Sequence, residues 1–248
     1  MLAFLLSGCG GVKRISKQPV PPENVVRSYR LTAEADKMME EGKDHLALLK
    51  YLEAADLNPY HEVIYNKVGI AYSKLAQYTQ ARRAVERSIG LNPKYPYAYN
   101  TQGIIRLAEQ NPKAAVESFR RAISLAPNIA SFHVNLGQAY MDRQKFEDAR
   151  EAYLRALQLD KNAFARKDVV ELSFPESEKT DPERHYQMAR FFAEIGDKDA
   201  CLRHLSKALS AGFADFKRLG ADQVFDRFRN DVDFRNLLGS YPDALKKS

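Results

Sequence analysis

Asn58-Pro59, Asn92-Pro93 and Ala126-Pro127 recur at one constant step, and a fourth unit in the same phase carries Lys161 at the proline site. Small residues keep the step: Ala35, Gly69, Gly103 and Gly137 early in each unit, Ala47, Ala81, Ala115 and Ala149 midway, Ala54, Ser88, Ala122 and Ala156 late. Large residues keep it too, with Leu31, Tyr65, Tyr99 and His133 at one place, Tyr51, Val85, Phe119 and Tyr153 at another, and Leu57, Leu91, Leu125 and Leu159 before the proline site. A fixed period of this length makes each unit one supersecondary structure that buries its apolar face only against its neighbours. Apolar residues follow helical spacing twice per unit, as in His61 to Leu75 and Thr79 to Ile89, around a turn such as Ala76-Gln77-Tyr78.

The small positions let two helix backbones approach, and the large ones fill the space between pairs. Proline after the second helix cannot continue it and sends the chain into the next unit. The pattern resembles the tetratricopeptide repeat, which implies an all-α, right-handed solenoid of helix-turn-helix repeats that binds other proteins. Residues 28–161 read as four repeats and 162–181 as an insert containing Val169, Val170, Leu172 and Phe174. The insert has three open outcomes: a lengthened helix, a cap on the stack, or a cover over the groove. Residues 182–215 read as a fifth repeat with Met188, Ala189, Phe192, Gly196, Cys201, Leu205 and Ala208 in place, and 216–248 as a C-terminal helical cap.

The first residues, MLAFLLSGCG, contain Leu6-Ser7-Gly8-Cys9, which resembles the lipobox of bacterial lipoproteins although no Lys or Arg precedes the apolar run. The resemblance implies a signal over 1–9, cleavage before Cys9, lipidation of its thiol and a membrane partner. Gly10 after Cys9 implies the outer membrane, on its periplasmic face. Residues 10–27 read as a flexible, basic, proline-containing tether. The alternative is a soluble cytoplasmic adaptor with an apolar start. Of the formal charge of +6, all but +2 lies in residues 1–30, so no basic face argues for nucleic acid. Cys201, the only other cysteine, reads as a small apolar core residue.

In this family the first helices line a concave groove, and the resemblance places there Tyr29, Thr32, Asp36 and Met39, then Val63, Asn66, Ile70 and Ser73. Tyr97, Asn100, Ile104 and Leu107 follow, then Ser131, Asn135, Gln138 and Met141. Asn66, Ile70, Tyr97, Asn100, Ile104, Asn135, Gln138 and Met141 are the candidates for contact with a protein or peptide client. Their amides can bond a peptide backbone and their apolar members can hold an amphipathic segment. Ile70 and Ile104 could instead pack between adjacent first helices. The carboxylate clamp of the family needs a Lys, Asn and Arg set, of which only Lys67, Asn66 and Asn135 are scattered members. Arg87, Arg121 and Arg155 recur at the same step on the outer helix and read as solvated surface. No histidine pair has metal spacing, and no phosphate loop or nucleophile elbow occurs, so no catalytic residue, metal or cofactor is expected. Nothing in the sequence sets the oligomeric state.

Overall fold

The computed structural model describes residues 19–164 and 181–241. Cys9, the stretch 10–18, the insert at 165–180 and the end at 242–248 lie outside the described residues. Four antiparallel pairs come first: α1 (Pro22–Glu40) with α2 (Asp44–Leu57), α3 (Glu62–Lys74) with α4 (Tyr78–Leu91), α5 (Pro96–Ala108) with α6 (Pro112–Leu125), and α7 (Ala130–Met141) with α8 (Phe146–Leu159). A fifth pair, α9 (Pro182–Ile195) and α10 (Lys198–Ser210), is followed by α11 (Phe216–Ala221), a 3-10 turn (Gln223–Phe228) and α12 (Val232–Gly239). The described residues form no strand, in keeping with the all-α solenoid. The expected boundary of the tether at residue 27 is corrected: α1 starts at Pro22, because proline at the first helical position gives up a donor that would be unpaired anyway.

The turn inside each pair repeats as strictly as the helices. Gly42, Ala76, Gln110 and Gln144, which share one phase of the repeat, take φ of 72°, 55°, 59° and 55°. Around each the same two bonds close the first helix, as where Gln77 N–H donates to Tyr72 C=O at 2.9 Å and Ala76 N–H to Ser73 C=O at 3.0 Å. This is a left-handed helix stop, filled by glycine only in the first of these units. The turn between pairs is fastened by side chains. Tyr99 donates its hydroxyl to Pro93 C=O at 3.1 Å, and His133, in the same place one unit on, lies 2.8 Å through Nε2 from Pro127 C=O. His133 thus keeps the tyrosine's bond as well as its place. Arg87 and Arg121 lie over the rings of Tyr65 and Tyr99, at 5.7 and 5.5 Å, so at these two positions the recurring arginine braces the turn.

Small meets large at the positions the period marks. A Cβ on Gly103 would lie 2.4 Å from the Phe119 ring, and one on Gly137 2.4 Å from the Tyr153 ring. Both rings are buried, so each second helix rests its largest side chain on the bare backbone of its partner. First helices also approach one another, α3 to α5 and α5 to α7, whereas no second helix meets the next to the same extent. The stack therefore curves with the first helices inside.

The fifth pair departs from this regularity. Pairs one to four join by direct helix contact of α2 with α3, α4 with α5 and α6 with α7, but α8 and α9, separated by the insert, do not pack to that extent. Side chains bridge them instead: Tyr153, Phe164 and Phe191 form a ring cluster with centroids 5.2 to 5.5 Å apart. Arg150 Nε also donates to Glu194 at 2.6 Å. A cleft of about 300 Å³ remains beside them. The C-terminal segment closes the stack as a cap. Tyr186 stacks on Phe213 at 4.3 Å and donates to Asp222 at 2.7 Å, while Phe225 and Phe234 are buried. Arg227 donates to Ala193 and Glu194 C=O at the end of α9, and a Cβ at Gly196, whose φ is 83°, would lie 2.9 Å from its guanidinium. The turn conformation favours glycine there, and its bare Cα leaves the guanidinium of Arg227 room to reach the end of α9.

Candidate functional site

The inner face is built by α1, α3, α5 and α7, and it treats the eight candidates unequally. Tyr97 is 46% exposed, its ring edge-on to Phe132 at 5.4 Å. Ile70, Asn100 and Ile104 are half-buried and stay accessible, so neither isoleucine is lost between helices. Asn66, Asn135, Gln138 and Met141 are buried, and their expected place on an open groove is corrected. Asn66 bonds the Tyr95 hydroxyl, which burial above all pushes up to about 12. Asn135 donates to Asn100 at 2.9 Å, tying α7 to α5. Its place in the repeat register is that of Lys67 and Thr101; the residue in phase with Asn66 and Asn100 is Val134. Gln138 donates at 2.9 Å to Asp142, which also pairs with Arg184. Burial holds the Asp142 carboxyl above the ordinary aspartate range even beside that guanidinium. Met141 lines the cleft between α8 and α9. All of α7 from Phe132 to Met141 is buried, so the accessible groove is the part formed by α1, α3 and α5.

Between α1 and α3 that groove deepens into a pocket of about 320 Å³ lined by Asp36, Met39, Glu40, Tyr51, Lys67 and Ile70. Tyr51 donates its hydroxyl to Asp36 Oδ1 at 2.5 Å and Lys67 donates from Nζ to the same oxygen at 2.6 Å. Burial, then the Asp36 carboxylate, push the Tyr51 hydroxyl far above the usual phenol range, so it stays a donor. Reasoning from the four groove positions per unit misses Glu40, Lys67 and Tyr51. Glu40 and Lys67 lie one residue beyond chosen positions, and Tyr51 belongs to the second helix and reads as filler. With Lys67 bound to Asp36 and with Asn66 and Asn135 buried, the scattered members of a carboxylate clamp do not come together.

Cys201 is fully buried, and burial pushes its thiol up to about 12, which fits a core residue. Among the described residues no group of three or more His, Cys, Asp or Glu side chains is placed to hold a metal ion.

The family model of the tetratricopeptide repeat matches residues 68–128 and 100–164. Over residues 68–164 the chain is built of tetratricopeptide repeats. No curated protein matches it. Among solved structures, the APC/C hetero-tetramer Cut9–Hcn1 is 18% identical with a TM-score of 0.55, over 86% of this chain and 36% of that one. MamA from Desulfovibrio magneticus RS-1 is 18% identical, with a TM-score of 0.49 over 79% of this chain and 98% of that one. YrrB, described as a tetratricopeptide repeat protein with an unusual peptide-binding site, is 16% identical, with a TM-score of 0.47 over 80% of this chain and 93% of that one. At these identities the likeness concerns the fold. The likeness to the Cut9–Hcn1 structure accords with the stacked helix pairs of this chain.

Proposed function

We propose that this chain is a protein-interaction scaffold whose inner face binds a peptide segment of a client, and that it works at a bacterial outer membrane, held by lipid on Cys9. The observation that carries the binding reading is the row of accessible side chains on α3 and α5. Ile70, Tyr97, Asn100 and Ile104 combine apolar surface with an amide on a rigid, curved support. Such a surface can hold an extended or helical segment with little ordering cost on the protein's side. On α5 the accessible candidates are Tyr97, Asn100 and Ile104, and Tyr97, half-exposed at the start of the helix, is the contact expected to contribute most.

A random dodecapeptide library displayed on phage, selected on the full chain, tests this. Selected peptides are expected to bind Tyr97→Ala at least about tenfold more weakly in fluorescence anisotropy. Because Tyr97 is exposed, its loss leaves the fold intact, which circular dichroism checks. Peptides indifferent to Tyr97→Ala would overturn the groove.

The anchoring half of the proposal rests on Leu6-Ser7-Gly8-Cys9. Metabolic labelling with a palmitate analogue is expected to mark the wild type in the membrane fraction and to miss Cys9→Ser, which shifts to the soluble fraction. Equal, unlabelled, soluble behaviour of both would make the chain a soluble tetratricopeptide adaptor instead. With an anchor in place, the client is an envelope protein awaiting assembly, of the secretin or pilus, outer-membrane protein or peptidoglycan machinery.

A further inference from the structure

We propose that the pocket between α1 and α3 takes a basic side chain, arginine or lysine, of the peptide in the groove; this rests on the groove reading above. Asp36 receives both the Tyr51 hydroxyl and the Lys67 ammonium on Oδ1, and among the described residues its Oδ2 has no donor although its side chain is 39% exposed. Glu40, one turn along α1, is exposed and makes no hydrogen bond or ion pair among the described residues. The pocket thus holds two carboxylates against one ammonium, and that ammonium is already committed. Carboxylates at i and i+4 stand side by side on a helix, a separation that the fork of a guanidinium can bridge.

Met39 and Ile70 supply the other half of the fit. Arginine and lysine bury their aliphatic stems along apolar surface while the charged head stays with polar groups, and a pocket with an apolar wall and an acidic rim answers both parts. The same charge rejects an acidic side chain or a free carboxyl terminus. The feature belongs to one unit: the positions of Asp36 and Glu40 hold Ile70 and Lys74, Ile104 and Ala108, then Gln138 and Asp142 in the units that follow. A base in the client therefore fixes the peptide's register along the groove.

Peptides selected from the phage library on the full chain are expected to share an arginine or lysine beside an apolar residue. A synthetic peptide of the selected sequence should bind about tenfold more tightly than its copy with that base replaced by glutamine. Glu40→Gln should weaken the basic peptide by a similar factor and leave the glutamine copy unchanged; Glu40 is exposed, so the variant folds. If the peptides respond to Tyr97→Ala but peptide base and Glu40→Gln act independently, the groove stands and the basic anchor is overturned. If no peptide is selected, or none responds to Tyr97→Ala, the groove reading fails and the anchor with it.

Discussion

Gly103→Ala is expected to destabilise the fold by about 1–3 kcal/mol, although alanine is the better helix former. The added Cβ would stand 2.4 Å from the Phe119 ring, which is fully buried and has no room to retreat. Phe119→Ala alone is expected to cost about 3–5 kcal/mol, because it removes a whole ring and leaves a cavity between α5 and α6. In the double variant the new methyl group enters part of that cavity. Its loss should therefore fall short of the sum of the single losses by about 1 kcal/mol or more. Urea unfolding followed by far-ultraviolet circular dichroism measures all three. Strict additivity would mean that glycine is there for some reason other than the ring. The same cycle at Gly137 and Tyr153 should behave alike, since the Cβ there would also meet its ring at 2.4 Å.

That cycle tests the part of the structure most legible in the sequence. The constant step of the repeat marks Gly103 and Phe119 separately, and the physical need for close helix approach links them without coordinates. The helix pairs and the apolar cap with Phe213, Phe225 and Phe234 follow from spacing in the same way. What a single period cannot convey is which repeated position stays open. Gln138 occupies the groove phase of α7 as Ile104 does in α5, yet Ile104 stays half-exposed while Gln138 is buried with the rest of Phe132–Met141. Burial there depends on what surrounds the fourth unit, and the regular repeat ends just beyond it. Local backbone strain is equally hidden. Gln110 and Gln144 adopt left-handed conformations that their residue type does not advertise, because the turn is imposed by the helices it joins. The pocket is hidden for a third reason: Asp36, Glu40 and Lys67 are charged residues on helices, a common pattern on solvated surfaces, and only their meeting beside Ile70 distinguishes them.

The junction of α9 and α10 predicts a marked sensitivity to acid. His204 lies with Nδ1 3.3 Å from Nδ1 of His185, and its ring stacks on Phe192 at 5.3 Å. Burial above all, then His185, Lys207, Arg203 and Arg184, hold the His204 imidazole down to about 3. In the unfolded chain the same ring takes a proton near pH 6.5. Between these values the unfolded state binds the extra proton, so stability is full above about pH 6.5 and falls as the pH drops toward 3. By pH 4 the loss from this ring amounts to about 3 kcal/mol at roughly 1.4 kcal/mol per pH unit. Asp142 acts in the opposite direction: its raised carboxyl takes a proton in the folded state before it would in the unfolded chain, which offsets part of the loss. Urea midpoints across pH 4–7.5 for the wild type and His204→Phe separate the two effects, since only the histidine is removed while an aromatic ring still faces Phe192. The wild-type midpoint should fall faster with acid than that of the variant. Parallel curves would mean that His204 opens to solvent and takes its proton without unfolding, and that α9 and α10 part more readily than their shared core implies.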